Sequence, residues 1–305
     1  MNRLGLIIGI FALCVAGLSA NAQVQDIEQN FSVFTAVSAA DEFDVTLSQS
    51  DRHKVVLTVD KVLAPYVKAT VKSRTLYFEY DSKAVPKEIK KLYGGRNGLK
   101  ATMRALVYMQ NLDGVELKDD ARLSSLSAFE GGSIQITATN GAVIRNLEVS
   151  GVSIKVAVDK KSTSTMKLTA DDLEINAAGS AVISVSQTSK NLTVNTKGSS
   201  NSVINGDTGS LAVNCEGNSD LKMSGKVETL AVHGQRSSDI NLLDVETTEA
   251  DVVLTGSSTL LESASESLRV DISGGSKLYF DGDPDIEIVK VKSSTLMHYG
   301  DPEAK

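Results

Sequence analysis

The sequence predicts an all-β fold: a single-stranded parallel β-helix, or β-solenoid, of about ten coils of roughly 18–21 residues. Three observations carry this. Leu173, Leu192, Leu211 and Leu230 recur every 19 residues, and Ile175, Val194, Val213 and Val232 keep the same spacing two positions on. Leu268 and Val270 rejoin the register two periods later. A fixed period of this size marks a stack whose units bury their apolar faces only against one another. Within each period the residues alternate. Leu192, Val194 and Thr196 face one way, and Thr193, Asn195 and Lys197 the other. That is the pattern of a strand with one buried face. Small polar turns separate the rungs at Gly179-Ser180, Gly198-Ser199-Ser200, Gly217-Asn218-Ser219, Arg236-Ser237-Ser238, Gly256-Ser257-Ser258, Gly275-Ser276 and Lys292-Ser293-Ser294.

A second apolar piece follows each turn, as in Leu221 and Met223, Ile240 and Leu242, or Leu278 and Phe280. Each coil is therefore expected to hold two strands and two turns. Nothing in the period has helical spacing, which excludes a leucine-rich repeat.

Residues 1–22 read as a cleaved signal peptide, with Arg3 at the start, an apolar run from Leu4 to Ala16 and the A-x-A site Ala20-Asn21-Ala22. Leu13 before Cys14 is not small, which argues against a lipoprotein signal. Export to the periplasm or the cell surface of a bacterium is expected. Residues 23–305 read as one solenoid domain. Residues 31–80 supply the N-terminal cap and first coils, 81–104 a basic insert, 105–283 the regular coils, and 284–305 the last coil and cap. A solenoid end needs such a cover because its strand edges are unpaired. In the insert, Pro86 at a helix start and Gly94 beyond its end predict a short helix.

The net charge of −7 argues against nucleic acid as a partner. Cys215, the one cysteine beyond the leader, falls on an inward rung and reads as a buried structural thiol. His53, His233 and His298 are far apart and form no zinc motif. Asp281, Asp283 and Asp285 start like a calcium loop, but Ile286 and Lys292 stand where an EF-hand needs Gly and Glu, so this stretch reads as a turn. Asp220 and Asp239, one period apart beside the turn, read as turn residues. No cofactor is implied. The turn residues Ser199-Ser200-Asn201, Asn218-Ser219-Asp220 and Ser237-Ser238-Asp239 are expected to form a stripe of hydroxyls and amides along one edge.

Phe31-Ser32-Val33-Phe34, Phe43-Asp44-Val45-Thr46-Leu47 and Leu76-Tyr77-Phe78 precede the repeated Gly-Ser turns. The series ends in Ser273-Gly274-Gly275-Ser276 and Phe280-Asp281-Gly282-Asp283-Pro284. This order resembles the head GIN domain family of putative auto-transporter adhesins, over about Phe31 to Gly300. The resemblance implies a right-handed parallel β-helix at the envelope or cell surface, and no catalytic residues. The chain lacks the large C-terminal membrane barrel of true auto-transporters, so self-transport is not expected.

The expected role is that of an exported, adhesin-like binding protein for carbohydrate or another envelope protein or component. Two alternatives stand beside it: a polysaccharide-active β-helix enzyme, and an envelope scaffold that self-associates through its coil ends. Sugar binders use aromatic platforms, yet the sequence has no Trp, and no Phe or Tyr between Gly131 and Leu278. Candidate ligand contacts therefore lie towards the ends: Tyr77, Tyr80 and Tyr93 with the basic Lys87, Lys90, Lys91 and Arg96, and Tyr279 and Tyr299.

Overall fold

The computed structural model of the chain describes residues 24–94 and 98–300; the expected leader and Arg96 lie outside them. It is 69% strand and 4% helix, an all-β solenoid of about ten turns. Strand Thr163–Ala177 shows how a coil is made. Ser164, Met166, Leu168 and Ala170 point inward, then Leu173, Ile175 and Ala177. The alternation breaks only at Asp171 and Asp172, which form an open corner. The two strands expected per coil thus run as one strand bent at that corner. The ladder skips a pair there: Ala170 matches Ser189 in the next coil, and Asp172 matches Asn191.

The leucine ladder stacks in register. Leu173 pairs with Leu192, Leu192 with Leu211, and Leu211 with Leu230. Ala250 fills the next rung, before Leu268. All are buried, and they belong to one continuous core that runs the length of the stack. Each rung adds its apolar area at ~25 cal/mol per Å² only when a neighbour covers it, so the coils are stable together rather than singly.

The tight turns are closed by residues with positive φ, among them Gly179, Gly198, Gly217, Arg236 and Gly256. At Gly198 a Cβ would lie 2.9 Å from the Gly179 carbonyl oxygen of the coil before, so glycine is needed for stacking as well as for φ. The next residues correct the expected surface stripe. Ser199, Asn218, Ser237 and Ser257 are exposed, but Ser200, Ser219, Ser238, Ser258 and Ser276 turn inward and are buried. Ala121, Ala142 and Ala181 hold the same inward place. Two arms of the coil converge there, and only a small side chain fits. Some of these hydroxyls bond within the seam, as Ser219 does to Thr196 at 3.0 Å and Ser238 to Ser258 at 3.1 Å.

The N-terminal end departs from simple winding. Strand Asp44–Gln49 pairs in parallel with Arg122–Ser125, and Ala36–Ala39 with Gly114–Leu117. Between these partners, residues 50–94 and 98–113 cover the end of the stack, with Met103–Met109 pairing in parallel with Asp44–Gln49 and Thr75–Tyr80 with Ala36–Ala39. Lys54–Asp60 runs antiparallel to both Val24–Asn30 and Met103–Met109. Val67–Lys72 and Thr75–Tyr80 make an antiparallel hairpin. Helix Lys87–Tyr93 follows Pro86 and ends at Gly94, whose N–H donates to Lys90 O. At the far end, among the described residues, Asp285–Lys292 pairs only with Thr259–Ser273, and Thr295–His298 only with Lys277–Asp281. Among the described residues no helix is long and apolar enough to cross a membrane.

Candidate functional site

A concavity lies at the open corner, where several coils carry a second bend. Gly206 (φ 128) and Gly225 (φ 134) turn the chain sharply just before the corner. The result is a groove of about 750 Å³ across five successive coils. Its lining includes Thr188 and Ser189, Asp207 and Thr208, Lys226 and Glu228, Glu246 to Thr248, then Ser263 and Ser265. Five coils make it about 19 Å long at strand spacing.

The floor is a column in register, Ser189 with Thr208, Thr208 with Val227 and Val227 with Thr247. It is held from below. Ser189 Oγ donates to Gln187 Oε1 at 2.8 Å and lies 3.0 Å from Thr208 Oγ1, which donates to Lys190 O at 3.2 Å. On the wall, the Lys226 backbone N–H donates to Asp207 Oδ1 at 2.9 Å, and Lys226 Nζ meets Glu246 at 3.0 Å. The hydrogen bond and charge of Glu246 raise the Lys226 pKa. Glu228 makes no ion pair or side-chain hydrogen bond among the described residues. The groove thus offers a row of hydroxyls, three carboxylates and one ammonium.

The predicted contact residues occupy the two ends, about ten coils apart, and the structure does not bring them together. Tyr77, Tyr80 and Tyr93 are half-buried at the N-terminal end, beside the exposed Lys87, Lys90 and Lys91. Tyr77 receives Lys72 Nζ at 5.9 Å from its ring centre. The Tyr93 hydroxyl is buried, and burial and then its interaction with Asp60 push its pKa up to about 12. The hydroxyl has no hydrogen-bond partner among the described residues. At the other end Tyr279 is half-buried and Tyr299 exposed. Arg96 lies outside the described residues.

Cys215 is buried, and its thiol is pushed up to about 11 by burial above all. That fits the structural thiol expected of an inward rung. Asp220 and Asp239 stack as partners in the ladder, and burial, then Asp220, raises the Asp239 pKa. Asp281, Asp283 and Asp285 do not converge: among the described residues no group of three or more His, Cys, Asp or Glu is arranged to hold a metal ion. Sequence reasoning missed Glu262, which points into the core with neither carboxyl oxygen partnered. Burial pushes its pKa up to about 8. The signal was present: Glu262 stands at an inward position one period after Leu242.

The family model described as "Putative auto-transporter adhesin, head GIN domain" matches residues 33–188 and 160–284. No curated protein matches the chain. Among solved structures, a putative adhesin from Parabacteroides merdae is 18% identical, with 91% of this chain and 97% of that one covered and a TM-score of 0.48. A putative adhesin from Parabacteroides distasonis is 16% identical, with 91% and 97% covered and a TM-score of 0.46. A putative lipid binding protein from Parabacteroides distasonis is 14% identical, with 92% and 97% covered and a TM-score of 0.43.

Proposed function

We propose, for a chain that belongs to the head GIN domain family of putative auto-transporter adhesins, that it is an exported envelope binding protein whose corner groove takes an extended, neutral carbohydrate. The adhesin-like character follows from the family. Export rests on the leader read in residues 1–22. The observation that carries the ligand class is the lining of the groove, where four of the five coils supply Ser or Thr hydroxyls and the middle coil supplies Lys226 and Glu228. A polymer of hydroxylated rings presents donors and acceptors at a comparable repeat. With three carboxylates to one lysine, the groove disfavours an acidic polymer. The end tyrosines remain secondary contacts in this reading. Tyr299, 46% exposed, offers the stacking surface that the groove lacks.

The three groove carboxylates favour a second reading, glycan cleavage. Hydrolysis by acid and base needs two carboxyl groups free to act across one bond. Asp207 is tied to the Lys226 N–H and Glu246 to Lys226 Nζ, which leaves Glu228 alone. That argues for binding over cleavage.

A glycan array probed with residues 23–305, its spots then examined for cleavage, tests both readings. Retention on neutral linear glycans without cleavage is expected. Cleaved spots would replace the binder with the enzyme, and silence on every glycan would contradict a carbohydrate ligand.

A further inference from the structure

The last described coil presents an open end. Ile286, Ile288 and Val291 stack on Leu268, Val270 and Ile272. Those three partners are fully buried, whereas Ile286 is 39%, Ile288 59% and Val291 41% exposed. The outer edge of Asp285–Lys292 pairs with no described strand. An apolar rung with a free edge is a template for another strand.

The charge order of this strand says which strand fits. It reads Asp285, Ile286, Glu287, Ile288, Val289, Lys290, Val291, Lys292. Laid antiparallel against its own copy, Asp285 faces Lys292, Glu287 faces Lys290, Ile286 faces Val291 and Ile288 faces Val289. In a regular strand this register would fail, because residues an odd number apart point to opposite faces while cross-strand partners must share one. The ladder to the preceding coil slips at this point. Ile288 matches Val270 and Lys290 matches Asp271, so Val289 is a bulge. The bulge resets the alternation. Glu287 and Lys290 both point outward, as do Asp285 and Lys292, and Ile286 and Val291 both point inward, so these three palindromic pairs each share a face, with Ile288 and the bulged Val289 at the centre.

We propose that Asp285–Lys292 pairs antiparallel with the same strand of a second copy, joining two solenoids end to end across a two-fold axis. Each charge pair then occurs twice, and the apolar rungs of both copies cover one another. Glu287 lies 3.8 Å from Arg269 of its own chain and leaves one carboxylate oxygen for Lys290 of the copy. The proposal stands independently of the groove and its ligand.

Sedimentation of residues 23–305, which carry every described strand, tests it. The wild type is expected to show a concentration-dependent monomer–dimer equilibrium. Lys290→Glu/Lys292→Glu places like charges opposite each other, as does Asp285→Lys/Glu287→Lys, and each is expected to weaken the dimer by at least about tenfold. Mixed together, the two variants are expected to form a heterodimer. A wild type that stays monomeric, self-association indifferent to both variants, or folded variants that stay apart when mixed would overturn the proposal. Hydrogen exchange on the wild type needs no variant. The amides of Asp285–Lys292 are expected to gain protection as dimer forms, and unprotected amides in a dimeric sample would likewise overturn it.

Discussion

The Asn214 side chain donates a hydrogen bond to Asn195 Oδ1, one coil away, at 2.9 Å. Asn195 does the same to Asn176 at 2.9 Å, and Asn176 closes the series on Val156 O and Glu174. The ladder runs along the outside of the arm whose inside is the leucine column. Asn195 holds both neighbours, so Asn195→Ala removes two bonds. The expected cost is about 1–2 kcal/mol, read as a lower denaturant midpoint at unchanged m-value.

Glu262 makes stability depend on pH. Its carboxyl rises from 4.5 to about 8 on folding because it is buried. The folded state therefore holds a proton that the unfolded state releases. The stabilisation is complete below pH 4.5, declines as pH rises, and is fully lost above about 8. Glu262→Gln cannot ionise. It is expected to match the wild type at pH 4 and exceed it by several kcal/mol at pH 9, flattening the melting temperature between the two.

Gly206 shapes the groove. A Cβ there would drive into the Gln187 carbonyl oxygen of the previous coil, at a φ of 128°. Gly206→Ala is expected to cost at least about 3 kcal/mol from backbone strain and overpacking. At Gly132 an added Cβ meets nothing within 4 Å. Gly132→Ala, as the control, is expected to stay within about 0.5 kcal/mol of the wild type. Thermal melts of the two variants side by side check this.

The Tyr93 hydroxyl is buried with no hydrogen-bond partner among the described residues. Tyr93→Phe removes it and leaves the rest of the packing. A buried hydroxyl without a partner costs stability, so tryptic cleavage at Lys87, Lys90 and Lys91 is expected to stay equal or to slow by up to about fivefold, with the solenoid itself intact.

The repeat that the sequence shows at Leu173, Leu192, Leu211 and Leu230 is the repeat of the core, because a stacked coil has only near neighbours to satisfy. Helix Lys87–Tyr93 was equally legible from Pro86 and Gly94, since caps are local. The connectivity of the N-terminal cover was not. Asp44–Gln49 pairs with Arg122–Ser125 across an excursion that no local pattern announces. The inward serines were misread because a turn looks polar whichever way its residues point. Ser200 differs from Ser199 only in following the left-handed Gly198 by one more residue. The groove was hidden for a related reason: Gly206-Asp207 reads as one more turn, and only stacking turns that bend into a trough. A search for aromatic platforms led instead to Tyr77 and Tyr299, at opposite ends.

The central claim is that a carbohydrate lies along the stacked corner of the coils. Its most direct test is calorimetric titration of a neutral linear glycan series, from disaccharide to hexasaccharide, into wild type and into Thr188→Ala/Thr248→Ala, which removes one hydroxyl near the start of the groove and one further along it. Affinity that rises with glycan length until the chain outgrows the groove, and falls at least about tenfold in the double variant at unchanged melting temperature, is the predicted result. Affinity independent of length, or equal in wild type and variant, would contradict the claim.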